Sequence, residues 1–187
     1  LLGALTLDLV AVLLGGATAL LPIFARDLLD TGPQGLGLLR AAPAVGALLM
    51  SLVLTRWPLQ RRVGHSLLAA VAVFGLANAV FGLSDHFVVS LLALAVTGAA
   101  DTISVVTRIT IMQLETPEDM RGRVSAVNSI FIGASNQLGE FESGVTAALW
   151  GPVASVVVGG VATLLVAAAW LRLFPALAQR DHMVTPP

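Results

Sequence analysis

Long apolar runs alternate with short polar interruptions along this chain. A helix needs roughly 20 mostly apolar residues to cross a bilayer. Six runs meet that length: residues 1–24, 36–54, 66–83, 87–114, 124–149 and 153–171. The interruptions have the chemistry of turns. Gly32, Pro33 and Gly35 punctuate the first. Ser84 and Asp85 offer a cap for the fourth helix. Thr116, Pro117, Glu118 and Asp119 read as an N-cap, a first-turn proline and an acidic first turn for the fifth. Gly151 and Pro152 part the fifth from the sixth.

Polar positions single out some runs. In the fourth, Thr97, Asp101, Ser104 and Arg108 follow helical spacing. At 100° per residue they fall within about 60° of one another, as one narrow stripe. Asp101 and Arg108 lie about 10 Å apart along the axis, so they seek partners on other helices or in water rather than each other. A charge in hydrocarbon costs on the order of 2.5–3.5 kcal/mol. The stripe therefore lines a cavity or, failing that, glues two helices. In the fifth run Ser125, Ser129, Asn136, Gly139, Glu140 and Ser143 form one broad polar face. Asn128, Ser135 and Glu142 extend it. Glu140 and Glu142 approach one end, where water is the competing environment. Asp8 in the first run faces a cavity or the membrane interface. Arg40, one turn inside the second, can reach out to the interface.

The third and sixth runs are different. Asn78 is the one strongly polar internal group of the third, and the sixth carries only Ser155 and Thr163. Both look suited to lipid over much of their surface. Each triplet thus ends in its most apolar member. With three helices per triplet the two topologies are opposed. The expected fold is all-α: a membrane bundle of six helices in two inverted three-helix repeats, over residues 1–175, with a tail at 176–187.

Composition fits and narrows this picture. Of 187 residues, 57% are hydrophobic and 11% charged, where soluble domains carry about 25% charged residues. The net charge of −1 suggests no nucleic-acid partner. The chain has no cysteine and no lysine. Disulfides, thiolate metal sites, Schiff bases and P-loop lysines are excluded with them. His65, His86 and His182 are scattered and form no metal set. Ser135 lacks the second glycine of a nucleophile elbow, and Asp101 has no matching second carboxylate motif. An enzyme, a metal site and a cofactor are therefore not expected. The chain opens on Leu1, already apolar, and is expected to be a piece of a longer one.

Arginines set the orientation. Arg56, Arg61, Arg62, Arg121, Arg123, Arg172 and Arg180 fall on the side that holds both ends, against Arg26 on the other. Both ends should be cytoplasmic.

The segment from Thr116 to Gly144, with Arg121-Gly122-Arg123-Val124 and Leu138-Gly139-Glu140-Phe141-Glu142-Ser143-Gly144, resembles the carboxy-terminal half of major facilitator superfamily transporters. Arg61, Arg62 and Gly64 resemble part of that superfamily's basic loop, without its full glycine–aspartate–arginine pattern. The nearest branch is that of enterobactin-exporter-like and macrolide- or multidrug-efflux-like permeases.

The resemblance implies secondary active export in a bacterial inner membrane, coupled to proton entry. A small amphiphile such as a siderophore or drug would bind between this bundle and an amino-terminal six-helix half. It implies that Arg61, Arg62, Arg121 and Arg123 tie helix ends together at the cytoplasmic face, with Gly122 permitting close approach. Asp101 is the candidate coupling carboxyl and Arg108 its modulator, since drying raises a carboxyl pKa and a nearby arginine lowers it. Thr97, Ser104, Asn136, Glu140 and Asp8 are the remaining pathway candidates. The alternative is a non-transporting scaffold or regulatory partner, or an inactive truncated half.

Overall fold

The computed structural model describes residues 2–15, 17–59 and 63–173. The side chains of residues 2–5 and of Asp8 lie outside that description, as do Arg61, Arg62 and the tail beyond Leu173. Among the described residues every regular element is helical. The six helices are α1 (Leu2–Leu14), α2 (Pro33–Arg56), α3 (Val63–Leu83), α4 (Phe87–Glu115), α5 (Arg121–Trp150) and α6 (Pro152–Leu173).

The helix ends follow from local chemistry. Pro33 opens α2 behind Gly32, where its missing N–H costs nothing. Gly151 closes α5 with φ +86°, a conformation glycine adopts without strain, and Pro152 opens α6 at once. Thr116 does not cap α5 as expected. It closes α4, donating its N–H to Met112 O at 3.1 Å. Pro117 is extended, and a 3-10 turn, Glu118–Met120, leads into α5.

The first run is not one continuous helix. α1 stops at Leu14, and the chain resumes as a 3-10 turn, Ala17–Leu20, a short α turn, Leu21–Ile23, and a π turn, Phe24–Leu28. Gly15 N bonds Val12 O at 3.2 Å, and Ala17 N reaches back to Gly15 O at 2.7 Å. Helical i→i−4 pairing is lost there. Such backbone is tolerated at membrane depth only against protein or a water-filled space.

Packing reveals the repeat. α3 packs chiefly on α6 and α4, α2 on α4, and α1 on α5 and α6. Exchanging the triplets turns the α2–α4 pair into α5–α1, the α3–α4 pair into α6–α1, and α3–α6 into itself. That exchange is the packing pattern expected of two inverted three-helix repeats. Small residues set the closest approaches, as membrane helices require. A Cβ on Gly46 would strike Ala95 O, and one on Gly98 would strike Pro43 O, so α2 and α4 cross backbone to backbone. Gly75 and Gly160 do the same for α3 and α6, where an added Cβ would lie 2.6–2.8 Å from the opposite carbonyl oxygen.

Two apolar clusters fill the bundle. One stacks Phe24 on Phe81, ring centroids 4.6 Å apart, among Leu20, Leu39, Leu94 and Val156. The other joins Leu7, Leu67, Val71 and Ala167. The expectation that the third and sixth helices face lipid over much of their surface fails for α3. Within an 18-residue apolar stretch of each helix, the buried share is 50% in α3, 28% in α6 and 17% in α2. Glycine packing explains it: a helix lined with Gly, Ala and Val lets neighbours approach on several sides.

Among the described residues five stretches are long and apolar enough to cross a membrane. α5 has the length but not the apolarity. Only Gly139 and Ser143 of its 30 residues are buried.

Candidate functional site

The stripe on α4 faces inward. Thr97, Ser104 and Arg108 are 5%, 4% and 2% exposed, and Asp101 is half-buried. Thr97 Oγ1 donates to Leu94 O at 2.7 Å, which settles its proton on the helix backbone and leaves its lone pairs free to accept.

A cavity of about 200 Å³ opens beside the upper part of this stripe. Thr97 and Asp101 of α4 line it with Asn136 and Glu140 of α5. Four of the seven pathway candidates read from the sequence therefore share one space. Gly15, Ala17 and Thr18 line it too, so the irregular stretch of the first run borders the cavity. A second space of about 10 Å³, near the size of one water, lies between Asp101, Ser104, Ala11 and Phe74. Arg108 borders neither space. Asp8 lies on α1, and its side chain is outside the described residues.

α5 divides its polar residues between packing and openness. Gly139 presses on α1, where an added Cβ would lie 2.9 Å from Val12 O and Leu13 O. Near the Gly151–Pro152 turn, Thr146 Oγ1 and Ser155 Oγ share a hydrogen bond of 2.7 Å, and Ser155 Oγ donates to Ser143 O at 3.2 Å. These bonds fasten α5 to α6. Asn136 and Glu140 remain exposed.

Arg121 ties the end of α4 to the start of α5. Its Nε donates to Gln113 O at 3.1 Å and Thr116 O at 3.2 Å, both carbonyls at the α4 terminus. Its Nη1 lies 3.6 Å from Glu118 Oε1. A cation suits a helix C-terminus, where unpaired carbonyls gather. Arg123 borders an apolar groove of about 350 Å³ with Met112, Met120, Val127 and Phe131. The close approach expected at Gly122 is not found: a Cβ there would meet nothing within 4 Å. The hairpin turns through the 3-10 segment before it instead. Arg61 and Arg62 lie outside the described residues.

Sequence reasoning missed two cavity residues on α3, Phe74 and Asn78. Asn78 is 3% exposed, and its Nδ2 makes no hydrogen bond among the described residues. The signal was present, since Asn78 is the one strongly polar group inside its run. Among the described residues no cluster of three or more His, Asp or Glu could hold a metal ion.

A multi-pass helical bundle with a polar cavity beside a broken helix is the architecture of a membrane transporter. The chain belongs to the transmembrane secretion effector family of the major facilitator superfamily, whose model matches residues 6–185. Its relatives include three enterobactin exporters. That of Shigella flexneri is 28% identical over 185 residues, 96% of this chain and 45% of the relative. That of Citrobacter koseri is 33% identical over 133 residues, covering 70% and 32%. That of Escherichia coli O1:K1 is 29% identical over 154 residues, covering 81% and 36%. The chain spans less than half the length of these relatives.

Proposed function

We propose that this chain is the carboxy-terminal half of a twelve-helix secondary transporter. It exports a small amphiphile, such as a siderophore or drug, by alternating access coupled to proton entry. Residues 1–175 form the bundle and 176–187 a tail. The membrane is a bacterial inner membrane, with both ends cytoplasmic as the arginine bias suggests. The reading rests on one observation above all: Thr97, Asp101, Asn136 and Glu140, from two helices, line one cavity beside an interrupted helix. Interrupted helices at a polar site are a recurring device of secondary transporters. The names of the relatives supply the direction, export.

In this mechanism the bundle rocks against an amino-terminal bundle, and the cavity opens to each side in turn. Asp101 is the coupling group, because a carboxyl that passes between wet and dry surroundings takes up and releases a proton. Arg108, seven residues along the same stripe, biases that exchange. The loop arginines Arg61, Arg62, Arg121 and Arg123 hold the cytoplasmic helix ends as a unit.

Efflux of a substrate panel by the complete transporter, with and without a proton-collapsing agent, tests the proposal. Proton-dependent export is expected, and Asp101→Asn is expected to reduce it to the collapsed level. Unchanged proton-driven export by that variant would sink the coupling role of Asp101. Export of nothing in the panel, with normal membrane insertion, would favour a scaffold.

A further inference from the structure

One charge of each sign stands unused at the rim of the cavity. Arg40 lies on α2 and Glu140 on α5, and both residues are exposed. Among the described residues neither side chain has an ion-pair or hydrogen-bond partner.

Both charges sit toward the same end of the bundle. The first apolar cluster gathers Leu36 and Leu39 from the start of α2 with Ala147 from the end of α5. Arg40 follows Leu39 directly, and Glu140 is two turns inside Ala147. By the arginine bias this is the outer end. Helix rise places each charge about 10–15 Å inside the end of its own helix. At that depth in a spanning helix a charge is kept only against protein or water. The two also stand on different walls. Glu140 lines the cavity from α5, and Pro43, one turn beyond Arg40 on the same side of α2, lines it from the other wall. α2 packs on α4, and α5 on α1.

The exposed surface of α5 says what meets Glu140. Helical spacing puts Gly133, Gln137 and Gly144 within about 60° of it. Each of these glycines has open space where a Cβ would stand. Phe131, Leu138, Val145 and Leu149, all exposed, fall about 140–180° away. The large groups suit lipid. The shallow flank around Glu140 suits a protein surface that approaches closely and brings a cation. The 185 matched residues are 45% of the Shigella flexneri relative, which leaves room for a second bundle.

Building on the transport reading, we infer that the amino-terminal half docks against α2 and α5 with an acidic side chain opposite Arg40 and a basic one opposite Glu140. The two pairs form where the outer ends of the halves meet, so they latch the cavity closed to the outside. Opening outward parts them and lets water take up each charge. Opposite signs on the two walls also fix the docking orientation, because a half turned about would set like against like.

The test uses the complete transporter in intact cells, with any cysteines of the other half replaced. Asn136→Cys reports the cavity, and a membrane-impermeant maleimide is applied from outside. Arg40→Gln and Glu140→Gln should each raise the labelling rate about fivefold, the population shift for losing a pair worth about 1 kcal/mol. Arg40→Lys and Glu140→Asp, which keep the charge, should stay near the wild-type rate. Asp85→Asn, which removes a charge from the connector at the same end, should change nothing. Arg40→Glu combined with Glu140→Arg should label at least as fast as either Gln variant. Recovery of the wild-type rate by that exchange would mean that the two residues pair with each other, and would overturn the docking assignment. So would a wild-type rate in either Gln variant, with export of the substrate panel intact. Faster labelling of both Gln variants in a protein that exports nothing in the panel would sink the transport reading and leave the docking assignment standing.

Discussion

α4 and α5 carry polar residues in similar number, yet one hides them and the other displays them. On α4, Thr97, Ser104 and Arg108 are buried by neighbours within this chain. On α5 only Gly139 and Ser143 are buried, while Asn136, Glu140, Phe131, Phe141 and Leu149 stand exposed. The difference teaches where this chain is self-sufficient. α4 is wedged between α2 and α3, and its stripe is enclosed inside the bundle. α5 touches α1 and α6 along one edge only. Its mixture of charged and large apolar groups suits neither lipid nor water alone. A helix of that kind is stable beside a protein surface, which under the proposed function is the other half of the transporter.

Glycine substitutions give the largest test of the contrast, because the two helices should respond with opposite signs. On Gly98 of α4 a Cβ strikes Pro43 O, a backbone atom that cannot swing aside. Gly98→Ala should cost about 1–3 kcal/mol or more through overpacking and lower the melting temperature of the detergent-solubilised protein. Gly133 of α5 has nothing within 4 Å of an added Cβ. There Gly133→Ala should leave stability unchanged or raise it by up to about 1 kcal/mol, the helix-interior advantage of alanine. Loss of stability at Gly133 in this chain would mean that α5 is packed more closely than described. Unaltered stability joined to impaired transport in the complete protein would place the covering surface on α5.

Accessibility offers a smaller but more local measurement. The chain has no cysteine, so each introduced thiol reports alone. Asn136→Cys on α5 should react with a water-soluble maleimide at least about tenfold faster than Thr97→Cys on α4, following their exposure in the isolated bundle. In the complete transporter the gap should narrow, and the Asn136→Cys rate should depend on whether substrate is bound. Equal rates in the isolated bundle would erase the distinction between a closed stripe and an open one.

The contrast was only half legible in the sequence. Thr97, Asp101, Ser104 and Arg108 could be aligned because a straight helix converts spacing into angle. The fifth run gave a broad polar face, but spacing could not divide it. Gly139 turns to α1 and Ser143 to α6, while Asn136 and Glu140 turn to the cavity, and that partition depends on where α1 crosses. The interruption of the first run escaped notice because Gly15 and Gly16 sit in a stretch that stays apolar throughout; composition reports hydrophobicity, not hydrogen-bond pattern. The burial of α3 escaped for a related reason. An all-apolar helix reads alike whether lipid or protein surrounds it. Asn78 was the one residue able to break that tie, since an amide in hydrocarbon needs a partner.

Arg121 provides the smallest effect and the most direct probe of the joint between the two helices. Its Nε bonds two carbonyls at the end of α4, while its own backbone begins α5. Charge-assisted bonds of this kind are worth about 1.5–3 kcal/mol when buried. Here the side chain is 46% exposed, so solvent screens the interaction and the value falls toward the 0–1 kcal/mol of surface pairs. Arg121→Ala should therefore lower stability by about 1 kcal/mol or less, while Arg123→Ala, at the rim of the apolar groove, should change it less still. Hydrogen exchange at residues 113–120 should quicken in Arg121→Ala and stay unchanged in Arg123→Ala. Arg121→Lys separates charge from geometry: it keeps the cation near the helix end but loses the planar Nε–H that reaches both carbonyls. Its behaviour should follow Arg121→Ala if the two bonds join α4 to α5, and the wild type if the helix terminus needs only a positive charge.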